Sequence, residues 1–163
     1  MVLRRLELKD APLMLEWMHD RNATENLKAD FASKTLKDAE DFIRASWKDK
    51  ESLNLAVASD EDEYMGTVSL KSIQGGSAEF AIVVRSGAMG HGYSWYGMKG
   101  ILEKAFTELG LSSVCWCVSR DNARAIRFYE KHGFRETTDI PERIRMKYEG
   151  DRNLKWWYAM LRG

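Results

Sequence analysis

The 163-residue chain has 25 basic and 25 acidic side chains, a formal net charge of zero and 44% hydrophobic residues. This composition is typical of a soluble globular protein, and the length suits a single domain over residues 1–163. Because phosphate neutralisation supplies most of the affinity of nucleic-acid binders, the lack of a basic excess argues against a nucleic-acid partner.

The sequence also gives no sign of membrane insertion, export or a metal centre. It has no window of about 18 apolar residues, so we expect no membrane-spanning helix and no membrane partner. The N-terminal stretch MVLRRLELKD lacks the apolar core of a signal peptide, which predicts a cytoplasmic protein. The two cysteines, Cys115 and Cys117, and three histidines match no familiar zinc spacing. We expect no metal, and we interpret the cysteines as small buried hydrophobes.

The first half of the chain is predicted to hold four strands and two helices. Alternation or apolar runs predict the strands, and apolar residues at helical spacing predict the helices. In chain order these elements are a strand over residues 2–8, a helix capped by Asp10, a helix starting between Ser33 and Thr35, and strands over residues 53–58, 64–73 and 78–84. Between the last two strands, Gly75 and Gly76 predict a tight turn.

The second half begins with a glycine-rich loop and a long helix. The helix carries an apolar stripe from Met98 to Leu109, and Gly110 follows as its predicted C-cap. After it we predict a strand over residues 113–118, a short helix ending at Gly133, and strands over residues 134–138 and 154–161. The fold class is therefore mixed α/β, with about seven strands and about four helices on both faces of the sheet.

The glycine-rich loop over residues 85–94 reads RSGAMGHGYS and joins a strand to the long helix. Its backbone N–H groups and the positive end of the helix dipole could together bind a phosphate. The loop matches neither the Walker A pattern nor the dinucleotide-binding GxGxxG pattern. By itself it leaves two interpretations open, a phosphate cradle or a loop that only turns the chain.

A second motif downstream favours the first interpretation. The pattern N-x-x-A-I-x-F-Y-x-K-x-G-F runs from Asn122 to Phe134, one helix and one strand after the loop. With both motifs and this element order, the chain resembles the GCN5-related N-acetyltransferase (GNAT) superfamily. Its N-terminal third is similar to the branch of ribosomal-protein and small-molecule acetyltransferases. The resemblance covers nearly the whole chain and implies a mostly antiparallel sheet.

The resemblance implies acetyl-CoA as co-substrate and assigns the residues that would bind it. The family's pyrophosphate motif begins with Gln or Arg, whereas this chain has Gly87 there and Arg85 two residues earlier. Whether Arg85 takes over that contact is open. The implied contacts are a backbone cradle for the pyrophosphate at Met89, Gly90, His91, Gly92, Tyr93 and Ser94, a strand for the pantetheine arm at Ile82, Val83 and Val84, and flanking residues Asn122, Arg127 and Phe128.

The resemblance also implies two catalytic residues. Tyr129 lies at the position of the family's general acid, and a phenol is neutral at pH 7 yet able to donate a proton. The alternative is that Tyr129 only packs in the core. Glu79 lies where many relatives place a base for the amine, but a glutamate on a half-exposed strand is also an ordinary solvated residue. A strand N–H near Val83 is the expected donor to the developing oxyanion.

The acetyl acceptor is left open between a small-molecule amine, such as an amino sugar, and a protein N-terminus. The resemblance places the acceptor pocket between the first two helices and the late strands, near Trp17, His19, Asp20, Asn22 and Glu25. Trp17 could instead belong to the apolar stripe of the first predicted helix, and the other four side chains could only solvate a loop.

Two other functions compete with acetyl transfer, a non-catalytic CoA-binding sensor or assembly module and an unrelated mononucleotide binder. The sequence also leaves a homodimer open. Trp156 and Trp157 are neighbours on a strand, so one of them must point away from the core face, as at a covered edge or a dimer contact.

Overall fold

The computed structural model describes residues 1–25, 27, 29–150 and 155–162, and for residues 155 and 156 only the backbone. The strands are β1 (Val2–Arg5), β2 (Leu53–Ala58), β3 (Tyr64–Gln74), β4 (Ser77–Val84), β5 (Ser113–Ser119) and β6 (Lys155–Leu161). The helices are α1 (Ala11–Met18), α2 (Arg21–Thr24), α3 (Leu36–Ser46), α4 (Tyr93–Thr107), α5 (Ala123–Lys131) and α6 (Glu142–Arg145).

The six strands form one sheet in the order of the chain, and every neighbouring pair is antiparallel except β4 and β5. The parallel pairing is short, because only Ser77–Glu79 of β4 lies in register with residues 113–115 of β5. Both strands continue beyond that point without pairing with each other. The sheet therefore opens into a V-shaped gap between the carboxyl-terminal ends of β4 and β5.

Helices cover both faces of this sheet. On one face, α4 and Tyr129 of α5 pack on apolar side chains of β2 to β6. On the other face, α1 and α3 pack over the first strands. Farther along that second face, Ile144 of α6 packs with Cys115 of β5 and Trp157 of β6. The second face therefore carries helices at both ends, and its middle, over β3 and β4, lies between them.

The mixed α/β class and the mostly antiparallel sheet are confirmed, with six strands in place of seven. The predicted strand over residues 134–138 is reduced to one isolated bridge, between Glu136 and Tyr158.

Asp10 stands at the N-cap position of α1 but makes no capping bond there. Its buried carboxylate instead binds both terminal nitrogens of Arg4, at 2.8 Å each. The single-turn helices α2 and α6 were not predicted, because four residues are too short for a helical period to show. Leu154, the predicted start of the last strand, lies outside the described residues.

Gly66 allows β3 and β4 to approach each other beside the gap. A Cβ atom at Gly66 would lie 2.5 Å from the carbonyl oxygen of Val83 and 3.0 Å from Cα of Val84. Both are backbone atoms, which cannot move aside as a flexible side chain can. We expect Gly66→Ala to lower the free energy of unfolding by about 2–3 kcal/mol, as overpacking does. Urea denaturation measures this change. Gly87→Ala is the matched control, since no atom lies within 4 Å of its added Cβ. Equal stability of the two variants would contradict the prediction.

Candidate functional site

A cavity of about 800 Å³ occupies the middle of the second face and continues into the V-shaped gap. This volume lies within the range of small-molecule sites. Strands β2 to β5 form its floor, α1 and α3 one wall, and α5 borders the gap. Its lining includes Met14, Trp17, Met18, Leu27, Phe31, Asp38, Asp41, Phe42, Asn54, Thr67, Ser69, Lys71, Glu79, Ile82, Val83, Cys117, Ser119, Asn122, Tyr129, Lys147 and Tyr148.

The gap is the part of the cavity that suits an extended ligand. Beyond Glu79, one edge of β4 has no neighbouring strand among the described residues, so backbone donors and acceptors along that edge are available to a ligand. Ile82 and Val83 line the cavity there, whereas Val84 is buried and outside the lining. A ligand with its own amide groups could pair with β4 as a substitute strand.

Tyr129 borders the gap from α5. Its side chain is only 7% exposed and packs against Trp116 and Tyr158, with ring centroids 5.6 and 5.1 Å away. It lines the cavity, and its hydroxyl makes no hydrogen bond within the described part of the chain. Burial raises the pKa of Tyr129 above the ordinary phenol value. The tyrosine therefore presents a protonated donor to the cavity, while its ring belongs to the core.

Glu79 lies on the cavity floor and is 2% exposed, so it is not the half-exposed, solvated glutamate of the alternative interpretation. One carboxylate oxygen accepts a hydrogen bond from Nζ of Lys147 at 2.5 Å, and the other accepts one from the hydroxyl of Tyr148. Burial and this hydrogen bond raise the pKa of Tyr148, which keeps the phenol protonated. The turn that follows α6 thus attaches to the sheet through Glu79, an arrangement that no motif in the sequence indicated.

The loop over residues 85–94 turns into α4 through two glycines with left-handed backbone, Gly90 at φ 81° and Gly92 at φ 88°. A side chain at either position would be strained, since only glycine adopts this conformation readily. Helix α4 begins at Tyr93, and the N–H groups of its first turn have no partners within the helix. His91 is exposed on this loop and Ser94 is partly buried. The predicted cradle from Met89 to Ser94 therefore has the geometry of an anion site.

Arg85 is bound elsewhere and does not point into this cradle. Its guanidinium binds Glu16 at 3.1 and 3.2 Å, Glu63 at 2.9 Å and the carbonyl oxygen of Tyr64 at 3.0 Å. These contacts attach α1 to the sheet. If Arg85 were to contact the pyrophosphate in place of the family's Gln or Arg, these bonds would have to break.

Arg124 was not predicted from the sequence, although it lies inside the second motif. Its Nη1 atom is 2.9 Å from Sδ of Met89, so α5 places a guanidinium beside the glycine loop. Asn122 lines the cavity and its side chain caps α5 at the N–H of Ala125. Phe128 packs on Trp95 of α4, and Arg127 is exposed; neither lines the cavity.

The five residues predicted near the acceptor divide between two places. Trp17 lines the cavity and donates from Nε1 to the hydroxyl of Tyr64 at 2.9 Å. Asp20 and Asn22 instead bind the hydroxyl of Ser86 in the glycine loop, Asn22 at 3.0 Å. The side chain of His19 donates to the carbonyl of Lys34 at 2.7 Å, and Glu25 is exposed outside the lining.

The two cysteines lie in different surroundings. Cys115 is buried, and burial raises the pKa of its thiol to about 12, with the nearby charge of Glu79 contributing. Cys117 lines the cavity, so the buried-hydrophobe interpretation holds only for Cys115. Within the described ranges, no three His, Cys, Asp or Glu side chains are grouped to hold a metal ion. No helix in the same ranges is long and apolar enough to cross a membrane.

The residues present fit the acetyl-CoA that the two motifs imply. An exposed loop with left-handed glycines and a helix N-terminus suits a pyrophosphate, and the open edge of β4 suits the amide groups of a pantetheine arm. The gap then leads from that edge to Tyr129 and Glu79, which both line the cavity.

Comparison with solved structures shows the same fold. A spermidine N-acetyltransferase from Vibrio cholerae, in complex with CoA and spermine, superimposes with a TM-score of 0.81 at 23% identity, covering 98% of this chain and 94% of that one. A GNAT-family acetyltransferase from Bacillus anthracis gives a TM-score of 0.77 at 20% identity, covering 98% and 93%. No curated protein matches the sequence.

The family itself is shown by a sequence match. The family model of the acetyltransferase (GNAT) domain matches residues 1–135, which is most of the chain and includes both motifs. The chain therefore belongs to the GNAT acetyltransferase family and is an N-acetyltransferase that uses acetyl-CoA as its co-substrate.

Proposed function

We propose that the protein acetylates the primary amine of a small molecule bound in the cavity, in preference to a protein N-terminus. The observation that carries this proposal is the position of the turn after α6. Lys147 and Tyr148 bind Glu79 and line the cavity at that end, opposite the wall from α1 and α3. An extended peptide would need an open groove there, whereas a compact amine fits beneath the turn.

The donor half of the site is assigned as follows. The backbone from Met89 to Ser94 binds the pyrophosphate, and Arg124 adds a guanidinium beside it, which favours phosphate oxygens. Ile82 to Val84 pair with the pantetheine arm, and Asn122 contacts that arm from the opposite side. Arg127 and Phe128, which lie outside the cavity, flank another part of the cofactor. Acetyl-CoA supplies an activated thioester, which an amine can attack directly once the two are held about 3 Å apart.

Two side chains then handle the protons. Tyr129 donates its proton to the departing thiolate, for which its free hydroxyl and raised pKa suit it. Glu79 takes the proton that the ammonium must lose before attack, because an alkyl ammonium has no lone pair. The C–N bond forms as the C–S bond breaks, and the second proton that the nitrogen then loses restores the proton that Tyr129 gave to the thiolate. The N–H of Val83, or one close to it on β4, stabilises the negative charge that develops on the carbonyl oxygen.

An acceptor screen monitored by thiol release tests the proposed function. The panel contains amino acids, arylalkylamines, amino sugars, spermidine and a short peptide with a free N-terminus. We expect at least one small amine to raise thiol release well above the hydrolysis of acetyl-CoA alone. A thermal shift with acetyl-CoA, and none with ATP or NAD, is the control for donor binding. If only the peptide is acetylated, the small-molecule assignment is wrong.

A further inference from the structure

The cavity floor carries a positively charged side chain that the proposed function does not use. Side chains alternate between the faces of a strand, so Thr67, Ser69 and Lys71 of β3 face the same way as Val83, Ala81 and Glu79, their partners on β4. Lys71 is thus directly across from Glu79, with Cα atoms about 5 Å apart, as in any antiparallel pair.

Two other polar side chains of this floor, those of Ser69 and Thr67, have hydrogen-bond partners. The hydroxyl of Ser69 donates to Oδ1 of Asn54 at 2.6 Å. The hydroxyl of Thr67 is 2.6 Å from that of Tyr64. These side chains already have partners and shape the floor without requiring a ligand.

Lys71 differs from them. It is partly buried, and its ammonium makes no hydrogen bond or ion pair with any other residue that the structure describes. The carboxylate of Glu79 is bound by Lys147 and Tyr148 and lies beyond ion-pair distance of Lys71. Among the described lining residues, this end of the cavity therefore holds two ammonium groups, those of Lys71 and Lys147, and one carboxylate, which binds Lys147. One positive charge, that of Lys71, is left in excess there.

Apart from Glu79, the acidic residues in the described lining of the cavity, Asp38 and Asp41, are exposed at its rim and have partners of their own. Asp38 caps α3 by accepting from the backbone of Thr35 at 2.9 Å, and Asp41 pairs with Lys37 at 2.7 Å. Lys34, the remaining charged residue among the described lining residues, adds another positive charge there. A polycationic acceptor would therefore bring an ammonium next to Lys71 and find few unpaired carboxylates in the part of the lining that the structure describes.

The wall opposite the floor is apolar. Trp17 and Phe31 pack edge to face with ring centroids 5.1 Å apart, and Met14, Met18, Leu27 and Phe42 complete this wall. A ligand body placed here buries hydrocarbon and gains no hydrogen bonds, since the indole N–H of Trp17 already donates to Tyr64.

We infer that the acceptor is an amino acid with an apolar side chain, and that Lys71 determines this specificity by binding its carboxylate. The amine would lie at Glu79, the carboxylate at Lys71 one strand away, and the side chain against the wall of Trp17 and Phe31. The short separation of Lys71 and Glu79 suits an amine and a carboxylate that are only a few bonds apart. This inference rests on the proposed function and assigns its substrate class.

Kinetics with matched substrate pairs test the inference. Each pair consists of an amino acid, such as phenylalanine, leucine or methionine, and the amine that lacks its carboxylate; spermidine is added as a polycation. With the unmodified protein we expect kcat/KM for at least one amino acid to exceed that of its amine by about tenfold, the worth of a hydrogen bond to a charged group. In Lys71→Met this preference should disappear through loss of activity on the amino acid, with the rate on the amine changed less than about twofold.

Two variants separate specificity from a structural effect. Lys71→Arg keeps the charge and should retain the preference, and Lys99→Met, an exposed site on α4, should leave both rates unchanged. If spermidine or the carboxylate-free amines are preferred, or if Lys71→Met lowers both rates equally, the inference is wrong while the proposed function stands. If acetyl-CoA binds and no amine is acetylated, the proposed function itself fails.

Discussion

Replacing Tyr129 by phenylalanine should lower kcat by about 100-fold or more while the KM for acetyl-CoA changes less than about twofold. General acids contribute about 10²- to 10⁴-fold to a rate, and only the hydroxyl is lost. The ring that packs against Trp116 and Tyr158 is kept, and the hydroxyl has no hydrogen-bond partner among the described residues. Steady-state kinetics with an acceptor from the screen measures the effect.

The pH dependence gives a second readout of the same assignment. The acid form of Tyr129 is required, so the rate should fall as the pH rises through its pKa. Because burial raises that pKa, this fall is expected above pH 10, where an ordinary phenol would already be half ionised. Tyr96→Phe, at an exposed position of α4, is the control and should match the unmodified protein. If Tyr129→Phe retains full kcat from pH 7 to 10, the acid assignment is wrong.

The sequence predicted most of the fold because its long elements carry clear hydrophobic periods. The apolar stripe of α4 and the alternation of β2, β3 and β4 each set one face against the core. Where the prediction was wrong, contacts between different elements decide the structure. Residues near Glu136 have a strand-like composition but pair with β6 at one point only. Asp10 has the sequence position of a cap, yet Arg4 competes successfully for its carboxylate.

Acetyl-CoA as the donor could be predicted because the signals for it are local. Loop glycines and the motif at Asn122 are local signals, and each keeps its meaning without knowledge of the rest of the chain. The acceptor side is different, because its residues meet only through the sheet register and the turn after α6. The β3–β4 hairpin places Lys71 across from Glu79 without a contact between their charged groups, and Tyr148 binds Glu79 from 69 positions away. Nothing in the spacing of these residues indicates such a cluster.

Glu79 could act as the general base, or it could only stabilise the fold by binding Lys147 and Tyr148. These two roles predict different results for the same variant. Glu79→Gln keeps the size of the side chain and an oxygen that can still accept from Lys147 or Tyr148. If Glu79 takes the proton from the amine, this variant should lose about 100-fold in kcat/KM for the acceptor at pH 7. The loss should shrink towards pH 10, because free amines with pKa values of about 8–10 become neutral in solution and no longer need a base.

If Glu79 only stabilises the fold, the loss of activity in Glu79→Gln should not depend on the protonation of the acceptor. In that case the ratio of kcat/KM between Glu79→Gln and the unmodified protein would stay constant with pH, and the main change in the variant would be a lower urea midpoint. Glu108→Gln makes the same substitution on an exposed ion pair with Lys104 and should alter neither quantity. Lys147→Met removes one donor and leaves the carboxylate of Glu79 buried with Tyr148 alone, so stability should fall by about 1–3 kcal/mol. A pH-dependent loss in Glu79→Gln, together with a small change in its urea midpoint, would identify Glu79 as the base.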